Sequence, residues 1–366
     1  MNEWKKVKIS EIGKVVTGKT PKTSNSSFYG GKTPFFTPSD DWSTKYIKNT
    51  NKYLTKDGKN SVKASIIPKN AICVSCIGTI GKVAITSSET VTNQQINSII
   101  VNETKYHIDF IYYAMLELGK LLNLHSGSST VVPIISKNTF SEYKLTCPNL
   151  DEQKKIANVL SIIDKKIEIN KQINDNLEKQ MNFIFKNMMS KAINNKIKGE
   201  YVSVKNLTQV VTGKEDANFS DENGKYKFFT CSNETLKCNE YKFNSSSILI
   251  AGNGDFNVKH YTGKFNAYQR TYVLTPQKDY YALLYLSSVE RINALKLRST
   301  GSIIKFITKN DIESIPVFIP WEKNILNILN QLLSLKDKKS NENEYLVSLR
   351  DYLLPLLLNG QVTIED

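Results

Sequence analysis

Ile156, Leu160, Ile163, Ile167, Asn170, Asn174, Leu177, Met181, Ile184 and Met188 recur at alternating steps of four and three residues. That is the spacing of a coiled-coil seam, sustained longer than an ordinary surface helix keeps it. A second run follows Pro320: Ile328, Leu332 and Leu335, then Lys339 and Glu342, then Leu346, Leu349, Leu353 and Leu356. Both seams turn polar at their centres. A polar seam residue costs stability but fixes register and partner, so the two helices are expected to be matched to each other and to pair antiparallel. At a rise of about 1.5 Å per residue, roughly 35 to 40 residues span roughly 50 to 60 Å, which makes such a pair a spacer.

Outside the two helices the pattern shortens. Runs such as "SSSILIAG", "NSIIV" and "RTYVL", bounded by Gly, Asn and Pro, predict strands, with single helices at "IDFIYYAMLELGKLL" and "YYALLYLSSVERINALKL". These stretches also repeat. "VVTGK" occurs at 15–19 and again at 210–214, and its flanks repeat with it: "VKISEIGKVVTGK" over "VSVKNLTQVVTGK", then "GKTPFFTPSD" over "GKYKFFTCSN", and "AICVSCIG" over "SILIAGNG". "NQQ" at 93–95 falls near "YQR" at 268–270, and "VVPIISKNTFSEYKLTCP" matches "IIKFITKNDIESIPVFIP". A fixed order of matches means a duplicated unit, globular part then helix. The expected fold is α+β: two mixed α/β domains in pseudo-twofold arrangement, separated by an antiparallel coiled coil. The expected boundaries are 1–150, 151–199 for the first long helix, 200–320, and 321–366 for the second helix and tail.

With 366 residues, 40% hydrophobic and 10% aromatic, the chain has enough apolar material for real cores and is not a disordered tail. No run approaches a bilayer span, the first residues carry no apolar leader, and five cysteines fit a reducing compartment, so a soluble cytoplasmic protein is expected. The formal charge of +14 points to a polyanion, and its placement says more. Residues 1–150 carry 19 basic and 10 acidic groups, net +9, and 201–320 carry 15 and 11, net +4; the helical stretches 151–200 and 321–366 come to +3 and −2. The globular parts are the basic ones, and nucleic acid is the partner that rewards spread Lys and Arg.

The search for chemistry finds little. His107, His125 and His260 sit in no metal or nuclease spacing. Cys73 and Cys76 form C-x-x-C without a second pair, and on a strand they would face opposite sides, which suits core thiols rather than metal ligands. "GTIGK" at 78–82 is too short for a phosphate loop. No Pro-Asp dipeptide opens a nuclease motif, and no Asn/Asp-Pro-Pro-aromatic motif of an amino-methyltransferase is present. A non-catalytic chain that binds no cofactor or metal is expected. The rivals are a stand-alone nuclease or methyltransferase, disfavoured by the missing motifs, and a scaffold that touches no DNA, disfavoured by +13 in the globular parts against +1 in the helices.

Polar loops remain as candidate DNA contacts, with Lys for phosphates and Asn, Gln, Ser, Thr and Asp for base edges. In the first copy these are Lys19, Thr20, Lys22, Tyr29, Ser39, Asp40, Thr79, Lys82, Gln94, Gln95, Ser126 and Ser128. The second copy offers Lys214, Asn253, Asp255, Lys259, Tyr268, Gln269, Arg270, Arg298 and Ser302. Gln94 or Gln95 is suited to adenine, and Arg270 or Arg298 to guanine.

"WKKVKISEIGKVVTGKTPKT", "YGGKTPFFTPSD", "PKNAICVSCIGTIGKVAI", "NQQINSII", "SGSSTVVPIISKNTF" and above all "PNLDEQKKIANVLSIIDKKIEIN" together resemble the specificity subunit of type I restriction-modification systems, over nearly the whole chain. The resemblance implies that 1–150 and 200–320 are target recognition domains, each reading one half of a bipartite site on double-stranded DNA. It implies two modification subunits as partners, carrying S-adenosylmethionine for adenine methylation, and restriction subunits driven by ATP with Mg. The second copy departs from the pattern, with "GKEDAN" in place of "GKTPKT" and "WEKNILNILNQLL" in place of "DEQKKIANVLSII", so the carry-over is firmest for Lys19, Thr20, Gly78, Thr79 and Gln95.

Overall fold

The computed structural model describes residues 4–126, 133–298 and 306–364; the side chains of 125–126 and 296–298 lie outside the description. The chain forms two compact units, Met1–Glu168 with Glu344–Asp366, and Ile169–Asn343. Each is built from sheet, one packed helix and a length of both long helices.

In the first unit a five-stranded sheet has the order Gly13–Thr17, Ile96–Val101, Ile72–Ser75, Val83–Thr86, Tyr46–Ile47. Neighbours are antiparallel except the last pair. Helix Ile108–Ser126 lies on this sheet, burying Phe110, Ile111, Tyr113 and Met115 against Ile72, Val74, Val83 and Ile85. Each such side chain contributes about 1.5–3 kcal/mol by leaving water. A second sheet orders Lys52–Leu54, Tyr29–Phe36, Thr90–Thr92 and Ile66–Ile67, and Lys5–Lys8 pairs with Lys144–Cys147.

The second unit repeats the first arrangement, with its third and fourth strands longer. Its six-stranded sheet runs Val210–Thr212, Thr271–Leu274, Phe243–Ala251, Val258–Ala267, Tyr226–Phe229, Thr235–Cys238. The first four correspond in order to the first four strands of the five-stranded sheet. Helix Tyr281–Arg298 covers it, and Gly199–Ser203 pairs with Pro316–Pro320 as Lys5–Lys8 does with Lys144–Cys147. The duplication expected from sequence is therefore a duplication of strand order.

The recurrence of "VVTGK" has a steric cause. Val15 and Val16 pair with Ile99 and Ser98, and Val210 and Val211 with Leu274 and Val273. The glycine that follows donates its N–H to a carbonyl of the neighbouring strand, Gly18 to Ile96 O and Gly213 to Thr271 O, each at 3.0 Å. A Cβ at Gly18 would run into the carbonyl oxygens of Thr92 and Asn93, and at Gly213 into those of Ala267 and Tyr268. Only glycine lets the backbones approach this closely.

The long helices are Leu150–Ile193 and Asn324–Leu358. In the second unit they run antiparallel: Asn170 Nδ2 donates to Asn343 Oδ1 (2.9 Å), Asn174 Nδ2 to Ser340 Oγ (3.0 Å), and Lys336 pairs with Glu178 (2.7 Å). Met181, Phe185 and Met188 share a core there with Leu326, Leu329 and Leu333. In the first unit Ile156, Ala157 and Leu160 share a core with Leu354 and Leu357. Beside them Tyr113 O–H donates to Asp164 Oδ2 (2.6 Å) and Arg350 to Asp164 Oδ1 (3.0 Å).

The seam of the first helix runs where the spacing placed it through Met181, after which the buried positions shift to Phe185, Met188 and Ala192 and leave Ile184 half-buried. Steps of four and four in succession are a stutter, which locally unwinds the pair. The seam of the second helix stands one residue beyond the expected one. Ile328 and Leu335 are 37% and 42% exposed, and Leu332, Leu346, Leu349 and Leu353 are half-buried. The residues facing the partner helix are Leu326, Leu329, Leu333, Lys336, Ser340, Asn343, Arg350, Leu354 and Leu357. The polar middle of this true seam hides it from an apolar count, while the leucines beside it mimic one.

All five cysteines are reduced and buried. Cys73 sits with Val16, Phe36 and Ala84, and Cys76 with Val74, Val83 and Met115, so the two thiols serve different cores as their spacing implied. Burial pushes Cys73 up to about 12 and Cys76 up to about 11. In the second unit His260 Nδ1 lies 3.3 Å from Asp337 Oδ1. Burial draws His260 down to about 4 and raises Asp337 to about 6.

Candidate nucleic-acid interface

In the first unit four chain segments far apart in sequence converge at one end of the strands. Lys19 N–H donates to Thr92 O (2.8 Å), and the Thr20 hydroxyl donates to Gln94 Oε1 (2.6 Å), tying the loop after "VVTG" to the turn at 92–95. Within that turn Asn93 Nδ2 donates to Gln95 Oε1 (2.8 Å), and Gln95 N–H returns a bond to Asn93 Oδ1 (3.1 Å). Cys76 N–H reaches Gln95 O (2.8 Å), Ile135 N–H reaches Cys76 O (2.8 Å), and Ile77 bridges Ile134. Gly78 and Gly81 hold positive φ, +76° and +85°, which curls 77–82 into a loop with Thr79 at its exposed apex. Lys19, Thr20, Thr79, Lys82, Gln94 and Gln95 thus belong to one cluster, with Lys19, Thr79 and Gln94 facing water.

Other expected contacts play supporting parts. The Tyr29 hydroxyl donates to Pro21 O (2.9 Å) and pins the loop that carries the exposed Lys22. Asp40 is 8% exposed, and its carboxylate accepts from Thr37 N–H (2.7 Å), the Thr37 hydroxyl (2.8 Å) and Asn51 N–H (2.6 Å). These three bonds hold the loop in shape, so Asp40 also positions its neighbours. Ser39 remains exposed beside it. Ser126 ends its helix with its side chain outside the description, and Ser128 lies outside the described residues.

The second unit assembles the equivalent cluster from different side chains. Glu215 bridges Tyr268, Gln269 N–H donates to Glu215 O (2.9 Å), and Gln269 Nε2 donates to Asp216 Oδ1 (2.9 Å). Gly252 N–H donates to Arg270 O (2.9 Å), and Ile307 N–H to Gly252 O (2.7 Å). Lys214 and Arg270 are exposed, and the Arg270 guanidinium meets no partner among the described residues. Gln269, Arg270, Tyr272, Phe306, Thr308 and Lys309 line a recess of about 500 Å³. Asn253 is half-buried beside it.

Two expected contacts in this unit also hold local structure. Asp255 Oδ2 accepts Asn233 N–H (2.9 Å), and Lys259 Nζ donates to Ser232 O (2.7 Å) and Glu234 O (3.0 Å). Burial lowers the pKa of Lys259, against the pull of Asp255. Both side chains close the 231–234 turn, and Asp255 stays exposed there. Arg298 ends its helix with its side chain outside the description, and Ser302 lies outside the described residues. Among the described residues no three His, Cys, Asp or Glu side chains gather into a metal site, and no helix is long and apolar enough to cross a membrane.

The cluster is built twice, on one strand order and from diverged polar side chains. The model of the type I restriction modification DNA specificity domain matches residues 1–179 and 196–345, once over each copy. The chain belongs to that family. The specificity subunit of the type I restriction enzyme MjaIX from Methanocaldococcus jannaschii is 27% identical over 414 aligned positions, covering all of this chain and 94% of that one. The specificity subunit of the EcoDI enzyme from Escherichia coli is 37% identical over 171 residues, 45% of this chain and 38% of that protein, so this match spans well under half its length. In fold, the S subunit of the type I restriction-modification system from M. genitalium superposes with a TM-score of 0.65 at 18% identity, over 97% of this chain and 96% of that one. The resemblance read from the motifs and the α+β fold with its long helices agree with these findings.

Proposed function

We propose that this specificity-family chain directs adenine methylation to a two-part DNA site without carrying catalysis itself. The loop cluster of each unit reads one half of the site, and the long helices set the gap. The observation that carries this reading is the paired cluster: Thr20 with Gln94 in one unit, and in the other Gln269 with Asp216 beside Arg270, whose guanidinium meets no partner among the described residues. Gln94 can offer its amide to adenine once a base competes for Thr20, and Arg270 can take a guanine by two parallel bonds. Lys19, Lys22, Lys82 and Lys214 supply phosphate affinity that falls as salt rises.

Modification subunits would dock on this chain, bind S-adenosylmethionine and receive the flipped adenine in their own pocket. ATP and Mg would act on restriction subunits. Cytoplasmic location follows from this assignment. The test is co-expression with a type I adenine-modification subunit from the same genome, in a host without other adenine methylation, followed by single-molecule mapping of N6-methyladenine. A two-part motif with a constant gap is expected, and exchanging residues 200–320 should rewrite one half alone. A stable complex that methylates no such motif would overturn the reading.

A further inference from the structure

Ile134 and Phe306 are large apolar side chains standing in water, 67% and 64% exposed, and they occupy the same place in the two copies. Each precedes the residue that ties its segment to the neighbouring loop, Ile135 to Cys76 O and Ile307 to Gly252 O. Each stands two residues before the N-cap hydroxyl of a short helix, Ser136 or Thr308, and each helix opens on a lysine, Lys137 or Lys309. A single exposed apolar residue is ordinary. The same exposure at the same position of two copies whose loops elsewhere have diverged asks for an occupant.

The surroundings identify it. Phe306 shares its recess with Arg270 and Lys309, so the occupant presents flat apolar faces within reach of negative charge. A DNA duplex has that chemistry, bases flanked by phosphates. We propose that Ile134 and Phe306 enter the base stack of the bound duplex, one wedge in each half-site, while Lys137 and Lys309 hold flanking phosphates. This rests on the DNA reading above and deepens it. Branched aliphatic and aromatic side chains both serve as wedges between base steps, which accounts for a position that keeps its apolarity and changes its residue. An opened step also lowers the cost of swinging a nearby base out of the helix.

Duplexes of the mapped bipartite site, with 2-aminopurine at successive positions, report unstacking as a rise in fluorescence. The chain assembled with its modification subunits should raise the signal at one step in each half. Phe306→Ala should abolish the rise in one half and Ile134→Ala in the other, each weakening binding roughly tenfold, and Phe306→Ile, the side chain of the first copy, should restore both. Thermal melting of the variants should match the parent, since neither side chain is buried. Unchanged affinity and fluorescence in both alanine variants, or a wild-type complex that leaves the stack intact, would overturn the wedges and leave the DNA reading standing. A wild-type complex that retains no duplex and methylates no two-part motif removes the reading, and the wedges with it.

Discussion

Asn170 and Asn343, hydrogen-bonded to each other at 2.9 Å, are one and the same position of the internal repeat. Asp164-Lys165-Lys166 recurs as Asp337-Lys338-Lys339, and six residues on from each aspartate stands the asparagine. A residue that meets its own equivalent across an antiparallel pair marks the local two-fold axis of that pair. Asn170 is fully buried, so its amide needs this partner.

Replacing Asn170 by Leu should therefore cost about 1–3 kcal/mol, because it removes the buried donor of the 2.9 Å bond to Asn343 Oδ1. Asn170→Leu with Asn343→Leu should recover that loss and lose uniqueness of register. Denaturant unfolding measures the first effect, and disulfide trapping between cysteines at 174 and 340 the second. Additive losses in the double variant would contradict the coupling.

Gly18→Ala and Gly213→Ala each force a Cβ onto strand carbonyls. Each should destabilise its unit by about 2 kcal/mol or more, as steric strain in a packed core does. Thermal melting of the single variants is the measure, and a change within about 0.5 kcal/mol at either glycine would show that the frame relaxes more freely than its geometry implies.

Lys19→Ala should weaken DNA binding by the assembled complex about equally on all sequences and lower the salt slope by about 1, as loss of one phosphate contact does. Gln94→Ala should instead relax the methylated motif at one base of one half-site. Binding isotherms at several salt concentrations and motif mapping separate the two. A lysine variant that altered the motif would reverse the assignment.

Burial of His260 and Asp337 opposes itself through pH. Asp337, raised to about 6 from an ordinary 3.8, costs stability above pH 6 and returns it as pH falls toward 4. His260, lowered to about 4 from 6.5, costs stability as pH falls through that window, because the unfolded chain takes up the proton first. The wild-type contribution should be nearly flat between pH 6.5 and 4. Asp337→Asn should stabilise the protein at pH 7 and expose the histidine, giving melting temperatures that drop from pH 6.5 to 4. A flat profile in that variant would remove His260 from the balance.

Periodicity and repetition were legible wherever geometry is written in apolar spacing or in a residue with no substitute. "VVTGK" announced the frame because its glycine has no sterically allowed alternative. The first helix showed its seam because most of its seam residues are apolar, whereas the second concealed Lys336 and Arg350 behind Leu335 and Leu349 and set Ser340 and Asn343 in a polar stretch. Asp40 and Lys259 looked like free polar groups because Asn51, one of Asp40's partners, and the 231–234 turn that holds Lys259 adjoin them only through the fold. Ile134 and Phe306 went unnoticed because an apolar residue next to a strand-like run reads as core, and nothing local in sequence tells that it faces out.

The buried cysteines make the chain a convenient substrate for chemical probes. With five thiols sequestered, and those at Cys73 and Cys76 raised far above neutral pH, maleimides and spin labels find almost no native thiolate to attack. A cysteine introduced at Ser39 or Thr79 would be the one responsive handle, and position-by-position distances across a DNA complex could be measured without first stripping the native thiols from the protein.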